Sequence, residues 1–166
     1  DLSAIGGKTG GNVTASAAIR MRGNQAEVKA ALIGGSSIIA GAAGTTAEIT
    51  DDVSASEGAE IVDVANVTGI FEGGVIDAFA SLVTAGVGTT TNLNKIAGQD
   101  PDVNITVNDG AGTLAATDVV SLGSKTSGTV TISNALTITG AQADVTNALV
   151  HSTKSVTAAS ALVTIN

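Results

Sequence analysis

A glycine-flanked tripeptide, Gly7-Lys8-Thr9, lies near the start of the sequence in the stretch AIGGKTGGNVTAS. A nucleotide-binding loop needs the pattern G-x-x-x-x-G-K-[ST], whose backbone N–H groups surround the phosphates. The first glycine of that pattern falls on Leu2, so the pattern is incomplete. The tripeptide also recurs as Ser124-Lys125-Thr126, without its glycine. We therefore expect a structural turn at both places and no nucleotide cofactor.

The stretch DPDVN places three oxygen ligands, Asp100, Asp102 and Asn104, at the spacing that begins an EF-hand calcium loop. The rest of that loop is missing, because its sixth position is Ile105 instead of glycine and its twelfth is Ala111 instead of glutamate. Acidic turn residues are most often simply solvated, and we favour this interpretation. A weak calcium site at these residues is the alternative. Further oxygen ligands stand at turns in Asp51-Asp52 and Asn108-Asp109.

Hydrolytic catalysis has little support in the sequence. His151 is the only histidine, and its equivalent in the internal repeat is Gly34, so we expect a polar surface residue. Paired carboxylates can cleave glycosidic bonds, but sugar sites usually add aromatic platforms and this chain has only Phe71 and Phe79. The sequence therefore predicts a protein that is not an enzyme, with no catalytic residues.

The composition limits the partners. Charged residues make up 13% of the 166 residues, and the formal net charge is −8. Nucleic acids bind clustered Lys and Arg, and anionic membranes repel an acidic surface, so neither is an expected partner. The apolar stretches are interrupted by Gly and Ser, which argues against membrane insertion. With no cysteine, the chain has no disulfide and no thiolate metal site.

An internal repeat organises the chain. Residues 1–33 align without a gap on residues 118–150, and 15 of the 33 positions are identical. A diverged middle copy begins near Glu60, in EIVDVANVTGIFE. We expect one repeat array of three copies, at 1–59, 60–117 and 118–166, with the third truncated and the array forming part of a larger chain or assembly.

Each copy combines strands with short helical stretches. NITVN (104–108) and TVTIS (129–133) alternate β-branched and polar residues, which predicts strands. Ala-rich stretches follow, with Thr113 and Thr139 as predicted N-caps and Asp118 and Asp144 early in the helices. A core without large aromatics is thin, so we expect a mainly β fold with short helices, stacked as a β-solenoid. A β-sandwich with short crossover helices is the alternative.

The same pattern predicts which residues shape the scaffold. We expect turns at Gly6, Gly11, Gly23, Gly123, Gly128 and Gly140, and core positions at Val13, Val28, Leu32, Val130, Val145 and Leu149.

The string DVVSLGSKTSGTVTISNALTITGAQADVTNALV resembles the Ala/Thr/Ser/Gly-rich strand repeats of very large bacterial cell-surface proteins, including surface-layer and adhesin proteins of the cyanobacterial type. The resemblance implies an extracellular structural module that self-associates into a filament, a surface layer or an adhesin stalk. The alternative is a receptor-binding module of a phage or bacterial fibre that recognises surface glycans or proteins. An enzyme on a β-solenoid scaffold, such as a polysaccharide lyase, is a third hypothesis, for which the sequence offers no cluster of catalytic side chains.

Overall fold

The computed structural model describes residue 8 and residues 13–33, 38–40, 43–150 and 156–166. Its described residues form a mixed α/β fold, in which short helices alternate with short strands along the chain. The helices are α1 (Gln25–Leu32), α2 (Ala55–Val62), α3 (Phe79–Leu82), α4 (Thr91–Gln99), α5 (Ala116–Gly123) and α6 (Gln142–Leu149).

The strands group into four parallel sheets and one antiparallel hairpin. The order in the four-stranded sheet is β13-β11-β9-β6, and the two three-stranded sheets have the orders β2-β4-β5 and β10-β12-β14. The remaining pairs are parallel β1-β3 and antiparallel β7-β8. The strands are β1 (Val13–Ala15), β2 (Arg20–Gly23), β3 (Ile38–Ala40), β4 (Thr45–Ile49), β5 (Val67–Phe71), β6 (Val75–Asp77), β7 (Val83–Thr84), β8 (Gly88–Thr89), β9 (Ile105–Val107), β10 (Thr113–Ala115), β11 (Val130–Ile132), β12 (Thr137–Gly140), β13 (Val156–Thr157) and β14 (Leu162–Ile165).

The predicted fold class is wrong. The expected β-solenoid needs long continuous sheets, whereas the described strands fall into short separate sheets of at most four strands, with six helices between them. The β-sandwich alternative is wrong as well, because every sheet among the described residues except the β7-β8 hairpin is parallel. Sandwich sheets are antiparallel, while parallel neighbours need a crossover connection, and helices fill that role here.

The starts of α1 and α2 are stabilised by local hydrogen bonds, which the amino-acid composition does not indicate. In α1 and α2 the side chains of the N-cap residues Asn24 and Ser54 each accept the backbone N–H of a glutamate three residues on. The side chain of that glutamate in turn accepts the backbone N–H of the N-cap residue. Such a capping box satisfies two of the donors that a helix start leaves unpaired. Five of the six described helices, α1, α2, α4, α5 and α6, are eight or nine residues long, so the described fold is not mainly β.

The two predicted threonine caps are wrong. Thr113 and Thr139 lie in β10 and β12, and the N-cap positions of the helices that follow are Ala115 and Ala141, which make no side-chain cap bond. Threonine is β-branched and favours a strand where a neighbouring strand is available. The acidic residues were predicted correctly, since Asp118 and Asp144 lie in the first turns of α5 and α6.

The core runs between the sheets and the helices. A row of apolar residues crosses the four-stranded sheet, extended on one side by a bridge between Val53 and Val75. Its members Val53, Val75, Ile105 and Val130 are buried. Of the six predicted core residues, Val28, Leu32, Val130 and Val145 are buried, whereas Val13 and Leu149 are half-buried.

The 117-residue sequence repeat recurs as a repeat of structure. Adding 117 to the bounds of β1 gives β11, and the same shift carries β2 onto β12 and α1 onto α6. The two copies thus have the same order, strand-strand-helix, with the same lengths. The diverged stretch IFEGGVIDAF ends β5, forms β6 and begins the short helix α3.

The predicted turn glycines lie at the ends of elements. Gly123 is the last residue of α5, and Gly23 and Gly140 are the last residues of β2 and β12. Gly128 has a steric role, because a Cβ there would lie 2.2 Å from the backbone oxygen of Asp102. Gly6 and Gly11 lie outside the described residues.

Candidate functional site

Carboxylates that follow the strands bind the N-termini of helices from the preceding part of the chain. The N–H of Gln25, the first residue of α1, donates to Asp51 Oδ1 at 2.6 Å. The N–H of Ala55, the first residue of α2, donates to Asp77 Oδ2 at 3.0 Å. Asp109 likewise accepts the N–H of the first residue of α3. A carboxylate at a helix start satisfies an unpaired donor and favours the positive end of the helix dipole.

At the edge of β5 that has no neighbouring strand, side chains accept the backbone N–H groups. Gly69 N–H donates to Gln99 Oε1 at 2.7 Å, and Phe71 N–H donates to Asp100 Oδ2 at 2.7 Å. Gln99 also donates through its Nε2 to the backbone oxygen of Val62 at 3.3 Å. Burial raises the pKa of Asp100; the Phe71 N–H opposes the rise and neighbouring Asp102 adds to it. The end of α4 thus takes the place of another strand.

Two of the three predicted calcium ligands, Asp100 and Asn104, accept backbone N–H groups. Asp100 is buried against Phe71, and Asn104 Oδ1 accepts the N–H of Thr129 at 2.9 Å. Asp102 is exposed. Within the described ranges no three His, Cys, Asp or Glu side chains are grouped so that they could hold a metal ion. A weak calcium site at these residues stays the untested alternative.

The second Lys-Thr pair lies in a turn between α5 and β11, as predicted for a structural joint. The hydroxyl of Thr126 donates to the Val103 oxygen at 2.7 Å and accepts the Gly128 N–H at 2.9 Å. Lys125 is half-buried. In the first copy Lys8 is an exposed turn residue, while Gly7 and Thr9 lie outside the described residues, as does His151.

A group of charged side chains covers the outer face of the sheet β2-β4-β5. Arg20 binds Glu48 through two nitrogens, one of them Nη2 at 2.7 Å from Oε2. Arg22 Nη2 lies 2.6 Å from Glu72 Oε2 and its Nε lies 3.7 Å from Glu48. The Arg20 contact lowers the pKa of Glu48 and raises that of Arg20. The charges neutralise one another, so this face offers little free charge to a ligand.

A shallow groove of about 370 Å³ lies beside the start of α1. Its one lysine is engaged, because Lys29 Nζ lies 2.6 Å from Glu60 Oε2. The other polar side chains of this groove are Gln25 and Glu57, and Glu57 belongs to the capping box of α2. Lys29 and Glu57 are thus both held by contacts within the chain.

The unpaired edges of β14 and β2 are a further candidate surface. On β14, the side chains of Leu162, Val163 and Ile165 are 69%, 47% and 57% exposed. Among the described residues, β14 pairs only with β12 and β2 pairs only with β4. Unpaired N–H and C=O groups on such edges can pair with another chain. The sequence did not single out β14, because the apolar residues of LVTI are equally typical of a buried strand.

No helix in the part of the chain that the structure describes is long and apolar enough to span a bilayer. Comparison with known protein families, with curated proteins and with solved structures finds no match to this chain.

Proposed function

We propose that this chain is a structural module of an extracellular bacterial surface protein, which self-associates into a filament, a layer or a stalk. The observation that carries the proposal is the 117-residue recurrence of β1, β2 and α1 as β11, β12 and α6. Recurrence of a strand-strand-helix unit at constant length is typical of proteins that build by addition of like parts.

The use of the polar side chains supports the same proposal. Asp51, Asp77 and Asp100 each bind a backbone N–H from another part of the chain. Side chains that an enzyme would direct toward a substrate are here used to hold neighbouring elements together. The extracellular location rests on the resemblance to bacterial surface repeats alone.

Sedimentation velocity over a wide range of protein concentration, together with electron microscopy of the same samples, tests the proposal. We expect association that increases with concentration and images of fibres or ordered sheets. A protein that stays monomeric throughout, and that binds surface glycans saturably in that state, would contradict the proposal and favour a receptor-binding module.

A further inference from the structure

We propose that β14 of one copy pairs in parallel with β2 of a second copy of this chain, so that copies join head to tail. This inference rests on the proposed self-associating function and names the surface through which it acts. The inference rests on the unpaired edges of β14 and β2, on the pairing of the equivalent strand β12, and on the side chains that would meet.

The first edge belongs to β14. The N–H groups of Leu162 and Asn166 donate to Leu136 and Gly140 oxygens at 2.8 and 3.1 Å, toward β12. Because backbone groups alternate in direction along a parallel strand, Val163 and Ile165 turn their N–H and C=O groups to the opposite edge. No described strand pairs with that edge.

The second edge belongs to β2. Thr46 N–H donates to the oxygen of Ile19 at 2.9 Å, and Thr50 N–H donates to that of Gly23 at 3.0 Å. These bonds place β4 on one side of β2. The backbone groups of Arg20 and Arg22 therefore point to the other side, where no strand within the described ranges is paired.

The inner copy of the repeat shows how such an edge is filled. β12 is the equivalent of β2, and it is paired on both sides, with β10 and with β14. Thr137, the equivalent of Arg20, donates its N–H to the Gly112 oxygen at 2.8 Å on the β10 side. The same strand type thus already accepts a parallel neighbour at the edge that β2 leaves unpaired. In the head-to-tail pair, β14 of the first copy takes the position beside β2 of the second copy that β10 takes beside β12.

The register follows from the rows of the inner sheet. Ile138 lies between Leu114 and Val163, and its equivalent in the first copy is Met21. Val163 would therefore lie opposite Met21 of the second copy, and Thr164 opposite Arg22. This pairing covers the apolar Val163 and Ile165, which lie in two successive rows and are half exposed in the single chain. β14 carries no charged residue, so the arginines of β2 meet no like charge.

A proline substitution separates this edge from the rest of β14. Val163→Pro removes an N–H that faces the free edge, a position at which proline is tolerated. We expect it to raise the dissociation constant for self-association at least about tenfold, with an unchanged melting temperature. Thr164→Pro is the matched control, because its N–H faces β12, and we expect it to lower the melting temperature.

Cysteine cross-linking tests the register directly, since the sequence contains no cysteine. Separately purified Arg22→Cys and Thr164→Cys proteins, mixed and oxidised, should form a mixed disulfide. Arg22→Cys mixed with Thr157→Cys is the control, because Thr157 lies on β13 in another sheet, and we expect much less cross-linking.

The outcomes separate the interface from the proposed function. Weakened association of Val163→Pro together with the Arg22–Thr164 cross-link supports the interface. Association that is unaffected by Val163→Pro, without that cross-link, overturns the interface and leaves self-association standing. A wild-type protein that is monomeric at every concentration overturns both.

Discussion

The Asp100 carboxylate accepts the N–H of Phe71 at 2.7 Å, at the position that another strand would take beside β5. We expect Asp100→Ala to lower the free energy of unfolding by about 1–3 kcal/mol, because the Phe71 N–H would be buried without a partner. Asp100→Asn keeps an oxygen at the same position and should lose less. Urea denaturation of both variants measures the difference, and equal losses would contradict this explanation.

The pH dependence of stability should carry the signature of Asp100. Burial raises its pKa above the ordinary 3.8, so the folded chain binds more protons than the unfolded chain between these two pKa values. The free energy of unfolding should therefore fall as pH rises through that window and then level off. Carboxylates common to both proteins cancel when wild type is compared with Asp100→Asn. A difference between the two that is flat with pH, or that has the opposite slope, would refute the assignment.

Asp51 and Asp52 offer a matched pair for testing the helix caps supplied from a distance. Asp51→Ala removes the acceptor of the Gln25 N–H and should cost about 0.5–2 kcal/mol of stability. Asp52→Ala removes the same charge from an exposed neighbour and should change stability by less than about 0.5 kcal/mol. Thermal and urea unfolding of both variants decides the matter. Similar losses would mean that removal of a negative charge, and not removal of the hydrogen bond to Gln25, lowers the stability.

The Lys125-Thr126 pair can be tested as a structural turn. Thr126→Val removes a buried hydroxyl that donates to the Val103 oxygen and accepts the Gly128 N–H. We expect a loss of about 1–3 kcal/mol, since two partners are left unsatisfied. Lys125→Ala should be within about 0.5 kcal/mol of wild type. The interpretation fails if the lysine variant proves the more unstable of the two.

Two glycines should respond to alanine in opposite directions. At Gly98, on the exposed side of α4, a Cβ would meet no atom within 4 Å. Gly98→Ala should therefore stabilise the chain by about 0.4–1 kcal/mol through the entropy of the unfolded state. At Gly128 the new Cβ would lie 2.2 Å from a backbone oxygen, and we expect a loss of about 1–3 kcal/mol or more. Melting temperatures that move in the same direction would contradict the steric role of Gly128.

Local pattern was enough to place many elements. The strands predicted at 104–108 and 129–133 are confirmed as β9 and β11. Strict alternation of apolar and polar residues places all the apolar side chains on one face only in a strand. Val145 is buried, in keeping with its predicted place on the apolar face of a helix. The repeat also placed β2 and β12 at equivalent positions.

The errors came from contacts that are distant in sequence. Thr113 is a good N-cap by type, but the strand formed by Thr137 and its neighbours pairs with it, so it lies in β10. The acidic turn residues are of the types that bind metal ions. Their partners are backbone N–H groups, such as that of Phe71 for Asp100, lying 29 residues away. The strand-end aspartates in AEITDD and VNITVND occupied matching places in the sequence, which was the one available signal for a shared role.

The aspartates that bind the starts of α1, α2 and α3 all come later in the chain than the helices themselves. The N–H groups of Gln25 and Ala55 are satisfied by residues 26 and 22 positions further on, and that of Phe79 by a residue 30 positions further on. During synthesis or export from the N-terminus, each of these helices emerges before the carboxylate that completes it. Until that carboxylate has emerged, the N–H group at the start of each of these helices lacks its acceptor.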